Sequence, residues 1–417
     1  MRQQIRLAII GCGGMGHRHL SGLAELHRAG YDQLQIVAAC DPVADNANSL
    51  ADQAKEYFGN RPVVVNDLSQ LVDLDIQAVD VTATPKYHHT IIQETLRNGW
   101  HTMVEKPMGL TVRACNLMKQ AVNDSGLILS VAENYRRDPI NRLAKALLDA
   151  NIIGTPRFLI HHTVGGADQM LISVWRHKKN ESGVLLDVGV HYADMMEYLL
   201  GEIESVYAKI RLHEPIRQNR QSGASDPAGV YGKWQREMPT EFEATAEDAA
   251  YATLQFKSGA VGQYIEDHAA HGEHLWKRSI HGSLGSLDLP GDRSGQRLTL
   301  HRDGQNPVDD QNLLDLVPEH RLDEATAVLF GGDRLFEYRF PFPETDRKLI
   351  AIEYHELGTC IQQGRRPEVS AHEGARAVGL SYSLMESQVA GRAVFVDEVC
   401  DDQVNAYQAE INEHLGI

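Results

Sequence analysis

Cysteine is scarce in this chain. Five occur in 417 residues, at Cys12, Cys40, Cys115, Cys360 and Cys400, and no two form a C-x-x-C pair. That scatter excludes a disulfide framework and a cysteine-rich zinc site, and it reads as free thiols in a reducing compartment. Positive charge is short too. Lys and Arg number 40 against 57 Asp and Glu, a formal charge of −17, so nucleic acid and anionic membrane surfaces are poor partners. No apolar run approaches membrane-spanning length. The first apolar strand begins within five residues of the start, which leaves no room for a signal peptide. These absences predict a cytoplasmic protein, and 417 residues predict more than one core.

What is present starts at residue 6. Arg6-Leu-Ala-Ile-Ile10 runs straight into Gly11, Gly13 and Gly16, the G-x-G-x-x-G spacing, and a helical pattern follows from His17. In a dinucleotide-binding turn the first glycine makes the bend, the second admits a pyrophosphate and the third lets helix and strand pack closely. The phosphates sit at the helix N-terminus, where free N–H groups and the dipole favour anions. A second strand, Leu34–Cys40, ends at Asp41. A carboxylate there accepts hydrogen bonds from ribose hydroxyls and repels a 2′-phosphate. No Arg or Lys lies between Asp41 and Asn48, so the pattern predicts NAD rather than NADP. Asp41 also precedes Pro42, and a turn-initiating role is compatible with the ribose role.

Strands and helices keep alternating through Arg136, which predicts a parallel sheet with helices on both faces. Ligands of such sheets bind beyond the carboxyl ends of the strands. Gly11, Asp41, Thr84, Lys106 and Tyr135 all fall there. A lysine in that position is placed beside a bound nicotinamide, where its ammonium can steady an alkoxide or pass a proton.

Taken in order, the glycine turn, Thr84-Pro85 with His89 four residues on, Glu105-Lys106-Pro107 and Asp187-x-Gly189-x-His191 resemble the Gfo/Idh/MocA family of oxidoreductases. The resemblance spans nearly the whole chain. It implies NAD as cofactor and a secondary alcohol of a sugar, glycoside or cyclitol as substrate. It implies that Lys106, Asp187 and His191 surround the reacting carbon. Cofactor contacts are implied at Gly11, Gly13, Gly14, Met15, Gly16, Asp41, Thr84, Pro85, His89 and Glu105. One departure stands out: the family often carries a run of glycines before the acid, and Ser182-Gly183-Val184 keeps only one.

The rest of the chain predicts a second domain, giving a division into 1–135 for the cofactor and 136–417 for substrate and assembly. Asp187 and His191 lie four apart on a helical pattern, so they share a face, and the acid is placed to orient the imidazole as a base. Tyr135, Arg136, Trp175 and Arg176 are candidates to line the substrate pocket. Alternating segments at 206–212, 250–256 and 260–265 predict a large, mostly antiparallel open sheet. Its uncovered face predicts a homo-oligomer, a dimer or tetramer. Two polar stretches, about 213–247 and 290–345, read as insertions that cover the site or extend a subunit contact. His268, His271 and His274 are three apart, but that spacing on an extended chain does not converge on a metal, and none is expected. A redox-neutral lyase or hydrolase that retains NAD would use the same residues, and a regulator that only senses NAD would not need Lys106, Asp187 and His191.

Overall fold

The computed structural model describes residues 4–221, 226 and 228–417. Strand β1 (Ile5–Ile10), apolar except for Arg6, lies at the middle of a first sheet. Helix α1 (Gly14–Arg28) follows, then β2 (Leu34–Cys40), α2 (Ala44–Phe58), β3 (Val63–Val65), β4 (Ala78–Val81), α3 (His88–Arg97), β5 (His101–Glu105), α4 (Val112–Ser125) and β6 (Leu129–Ala132). All pairings are parallel, in the order β3-β2-β1-β4-β5-β6. Four strands buried at every residue or nearly so (β1, β4, β5 and β6) fit a sheet covered on both sides. Caps fix the helix starts. Thr111 accepts the Ala114 N–H to begin α4, and such a cap contributes about 1 kcal/mol.

Helix α5 (Pro139–Asp149) leads to the second sheet. Its strands are β7 (Pro156–Gly166), β8 (Ile203–Arg211), β11 (Ala249–Phe256), β12 (Val261–Ala270), β13 (Leu275–Gly282), β14 (Ser286–Leu289), β15 (Thr299–His301) and β16 (Val394–Phe395). The order is β15-β14-β13-β7-β12-β11-β8-β16, antiparallel except for the central β7·β12 pair. A small ribbon of β9 (Ile216–Gln218) and β10 (Glu241–Glu243) stands apart. Two long C-terminal helices, α11 (Phe342–Gln363) and α12 (Ala371–Ala390), tie the halves together. Helix α11 runs along α1, where Arg18 pairs with Asp346. Helix α12 covers the inner face of β8, with Ser387 accepting the Ala208 N–H. The opposite face of the sheet carries Phe158, Tyr207, Val261 and Leu275, each 38–48% exposed.

One local expectation is corrected. The helical pattern around Asp187 is two helices, α6 (Val184–Asp187) and α7 (Gly189–Leu200), interrupted at Val188. Asp187 closes one and His191 sits in the first turn of the next.

Candidate active site

A cleft of about 250 Å³ opens at the carboxyl ends of the first sheet, lined by Gly13, Gly14, Met15, Thr84, Pro85, Glu105, Lys106, Trp175 and Arg176. The glycine turn beneath it is shaped by contact. A Cβ on Gly16 would stand 2.3 Å from the Gly11 carbonyl oxygen, so only glycine lets α1 approach β1 this closely. A Cβ on Gly13 would meet no protein atom within 4 Å. That open space at the N-terminus of α1 suits a pyrophosphate. Asp41 is buried at the end of β2, where its turn role is seen directly. Its carboxylate accepts the Val43 N–H at 2.8 Å, making a turn, and the Cys12 N–H at 2.7 Å, holding the glycine loop. Glu105 Oε1 faces His19, while Oε2 is buried in the cleft wall without a hydrogen-bond partner. The residues fit a dinucleotide: an open glycine turn for the phosphates, and Glu105 Oε2 as an unengaged acceptor for a hydroxyl. Of the expected cofactor residues, Gly11, Gly16, Asp41 and His89 do not line this cleft, and His89 is the one away from the glycine turn. It is buried on α3, and its neighbour His88 fastens Ala83 to Pro107 and Met108.

The roof was not assigned from sequence. Within the first polar stretch, helix α8 (Gly232–Gln235) brings Trp234 and the preceding Tyr231 over the turn. Tyr231 accepts a hydrogen bond from Arg18 at 3.0 Å, and Trp234 Nε1 donates to Asn46 at 3.3 Å. The second polar stretch supplies Arg293, whose guanidinium donates to Tyr135 Oη at 3.3 Å and pairs with Asp346.

The reacting end joins both sheets. Lys106, just past β5, donates to the Asp187 main-chain oxygen at 2.9 Å and to its Oδ1 at 3.1 Å. Arg176 donates to Oδ2 at 2.7 Å. Burial pushes the Asp187 carboxyl up, but Arg176 and Lys106 outweigh it and hold the group well below the usual carboxylate range. One carboxylate thus answers two cations. Trp175 lies under the Arg176 guanidinium at 4.2 Å.

Asp187 is therefore not the partner of His191, contrary to the spacing argument. The imidazole Nδ1 meets Glu133, at the end of β6, with both carboxylate oxygens at 2.7 and 2.8 Å. Tyr135 stacks flat on the ring at 4.1 Å. Burial, then Lys106 and Arg293, push His191 well below the ordinary histidine range, so it is neutral. Burial raises Glu133 to about 7. Arg136 points elsewhere, paired bidentately with Asp194 over the Tyr198 ring. Among the histidines of the 268–274 stretch, His268 pairs with Glu266 and His271 with Glu214. No group of three His, Cys, Asp or Glu side chains among the described residues is placed to hold a metal.

Known proteins resemble the chain over both sheets. Residues 5–133 match the family model described as "Oxidoreductase family, NAD-binding Rossmann fold", and residues 145–396 match its "C-terminal alpha/beta domain". The chain is 29% identical over 292 residues to levoglucosan dehydrogenase of Pseudarthrobacter phenanthrenivorans, covering 68% of this chain and 73% of that one. It is 24% identical over 375 residues to scyllo-inositol 2-dehydrogenase (NAD(+)) of Bacillus subtilis, covering 89% and 90%. Among solved structures, levoglucosan dehydrogenase with NADH and levoglucosan superposes with a TM-score of 0.72 at 23% identity, over 94% of this chain and 99% of that one. The fold is shared across these proteins. The two family models together cover both sheets, and the chain belongs to the Gfo/Idh/MocA family of NAD-binding oxidoreductases.

Proposed function

We propose that this oxidoreductase acts on a secondary alcohol of a sugar, glycoside or cyclitol, with Lys106 and His191 as the residues that handle the reacting carbinol. The observation that carries the reading is the convergence of Lys106, just past β5, with Asp187 and His191, from helices α6 and α7, beside the glycine-turn cleft. Similarity to named levoglucosan and inositol dehydrogenases supports the substrate class. Bound NAD⁺ supplies the hydride acceptor.

An ammonium has three N–H donors. Asp187 takes two of those on Lys106, leaving one to meet the substrate oxygen, where charge develops as the C–H bond breaks. A preorganised donor of this kind is worth about 10²–10³ in rate. His191 is neutral and its Nδ1 is engaged, so Nε2 is the nitrogen free to take the carbinol proton. Asp187 holds Lys106 and Arg176 in place and is not itself a base. Trp175 and Arg176 line the cleft and are assigned to substrate contact. Tyr135 acts through its stack on His191.

The division at Tyr135 and the cytoplasmic location belong to the same proposal. So does a homo-oligomer built on the exposed face of the second sheet. The functional reading is tested by NADH formation from NAD⁺ with a panel of inositols, aldoses and glycosides. A rise that depends on one of these polyols supports it. Loss of a glycoside without NADH, or no reaction with any polyol, counts against it.

A further inference from the structure

We propose that Glu133 is the positioning residue of the reaction: it fixes the tautomer of His191 and balances the charge that His191 gains when it takes the carbinol proton. The inference rests on the reading above and adds a residue that the family motifs do not contain.

The geometry is specific. Both Glu133 oxygens face Nδ1 at 2.7 and 2.8 Å, and Oε1 also accepts the Tyr135 N–H at 2.9 Å, so main chain fixes the carboxylate plane. The Tyr135 ring, 1° from parallel, prevents the imidazole from turning. With Glu133 ionised, Nδ1 must carry the hydrogen and donate it. The Nε2 lone pair then faces the substrate. With Glu133 protonated, its O–H donates to Nδ1, Nε2 holds the hydrogen, and the base is blocked. A single proton in this pair decides whether the ring can act.

The step balances. The C–H electron pair leaves as hydride to bound NAD⁺, the O–H pair becomes the second C=O bond, and the proton passes to Nε2. The imidazolium formed is then paired with the Glu133 carboxylate. Other charged groups face the pair from every side: Glu105 and Lys106 at the end of β5, Arg136 after β6, and Asp187 at α6. Arg293 comes from the 290–296 loop, Asp194 from α7 and Glu353 from α11. Arg136 is neutralised by Asp194, so Lys106 and Arg293 are the cations that favour a neutral imidazole.

In the wild type, kcat/KM for the oxidised polyol should rise with pH through an apparent pKa near 7, the value to which burial brings Glu133. E133Q should lose kcat by about 100-fold, lose that limb, and keep KM and NAD⁺ affinity within about threefold. E133D, with the charge kept and the reach shortened, should regain about tenfold of the loss and the limb with it. An E133Q enzyme with near-normal kcat and an unchanged limb overturns the proposal. Because E133Q can fail by misfolding, ¹⁵N spectra of histidine-labelled wild type, with H191N as the difference control, give a second reading. Above the limb His191 should carry its hydrogen on Nδ1, and finding it on Nε2 overturns the proposal as well. Full activity in H191N would instead sink the functional reading. A dead H191N beside a normal E133Q sinks only the role of Glu133.

Discussion

At the scale of single residues, two glycines three positions apart do different work. Gly16 is fixed by packing and Gly13 by what must lie beside it. Gly16→Ala should cost about 2–3 kcal/mol, because the methyl meets main chain that cannot move aside. Gly13→Ala should leave the melting temperature within about 2 °C, since no protein atom stands in the way. Its effect should fall on NAD⁺ instead, with affinity reduced about tenfold or more. Thermal melts with and without NAD⁺ separate the two, and a destabilised, normally binding Gly13→Ala would contradict the assignment. Both glycines were readable from spacing alone. The partner of His191 was not. Helical spacing pairs residues four apart only if the helix is continuous, and the break at Val188 with two cations on Asp187 sends the acid elsewhere. Glu133 lies 58 residues from His191. Its one visible signal was its place at the carboxyl end of a parallel strand, shared with Asp41 and Lys106.

At the scale of elements, the strands and helices of the first sheet were legible because each carries its own buried run, cap or terminal glycine. The two polar stretches were not, because their contribution is a handful of side chains carried by short segments. Helix α8 spans only Gly232–Gln235, yet with Tyr231 it roofs the glycine turn. Trp234 is held there by Asn46 and lies 5.7 Å from the His17 ring. Trp234→Ala should therefore weaken NAD⁺ binding about tenfold, mainly through faster release, with little change in melting temperature. Stopped-flow dissociation of NADH checks this, and an unchanged off-rate would remove the roof from the cofactor site. Arg293 shows the same limit on sequence reading. It reaches Tyr135 and Asp346 from a loop without regular periodicity.

At the scale of the molecule, α11 and α12 bind the two sheets together, so that the reaction site is assembled from β5, β6 and the α6–α7 junction at once. The helices cover one face of the second sheet and leave Phe158, Tyr207, Val261 and Leu275 exposed on the other, Phe158 paired with Val261 across β7 and β12. The proposed homo-oligomer would bury these positions. Light scattering should give a mass of at least two chains, and the pair of substitutions Phe158→Glu and Tyr207→Glu should reduce it to the single-chain 46.4 kDa. A wild type of that mass would refute the assembly.

The central claim is that Lys106 acts on the reacting oxygen and does not hold the cofactor. NADH formation and NAD⁺ binding, measured side by side for wild type and Lys106→Ala with the polyol the enzyme oxidises, test it most directly. The account predicts that Lys106→Ala loses about 10³ in turnover while binding NAD⁺ within about threefold of wild type. Turnover near that of the wild type, or a loss that follows entirely from lost NAD⁺ binding, would contradict it.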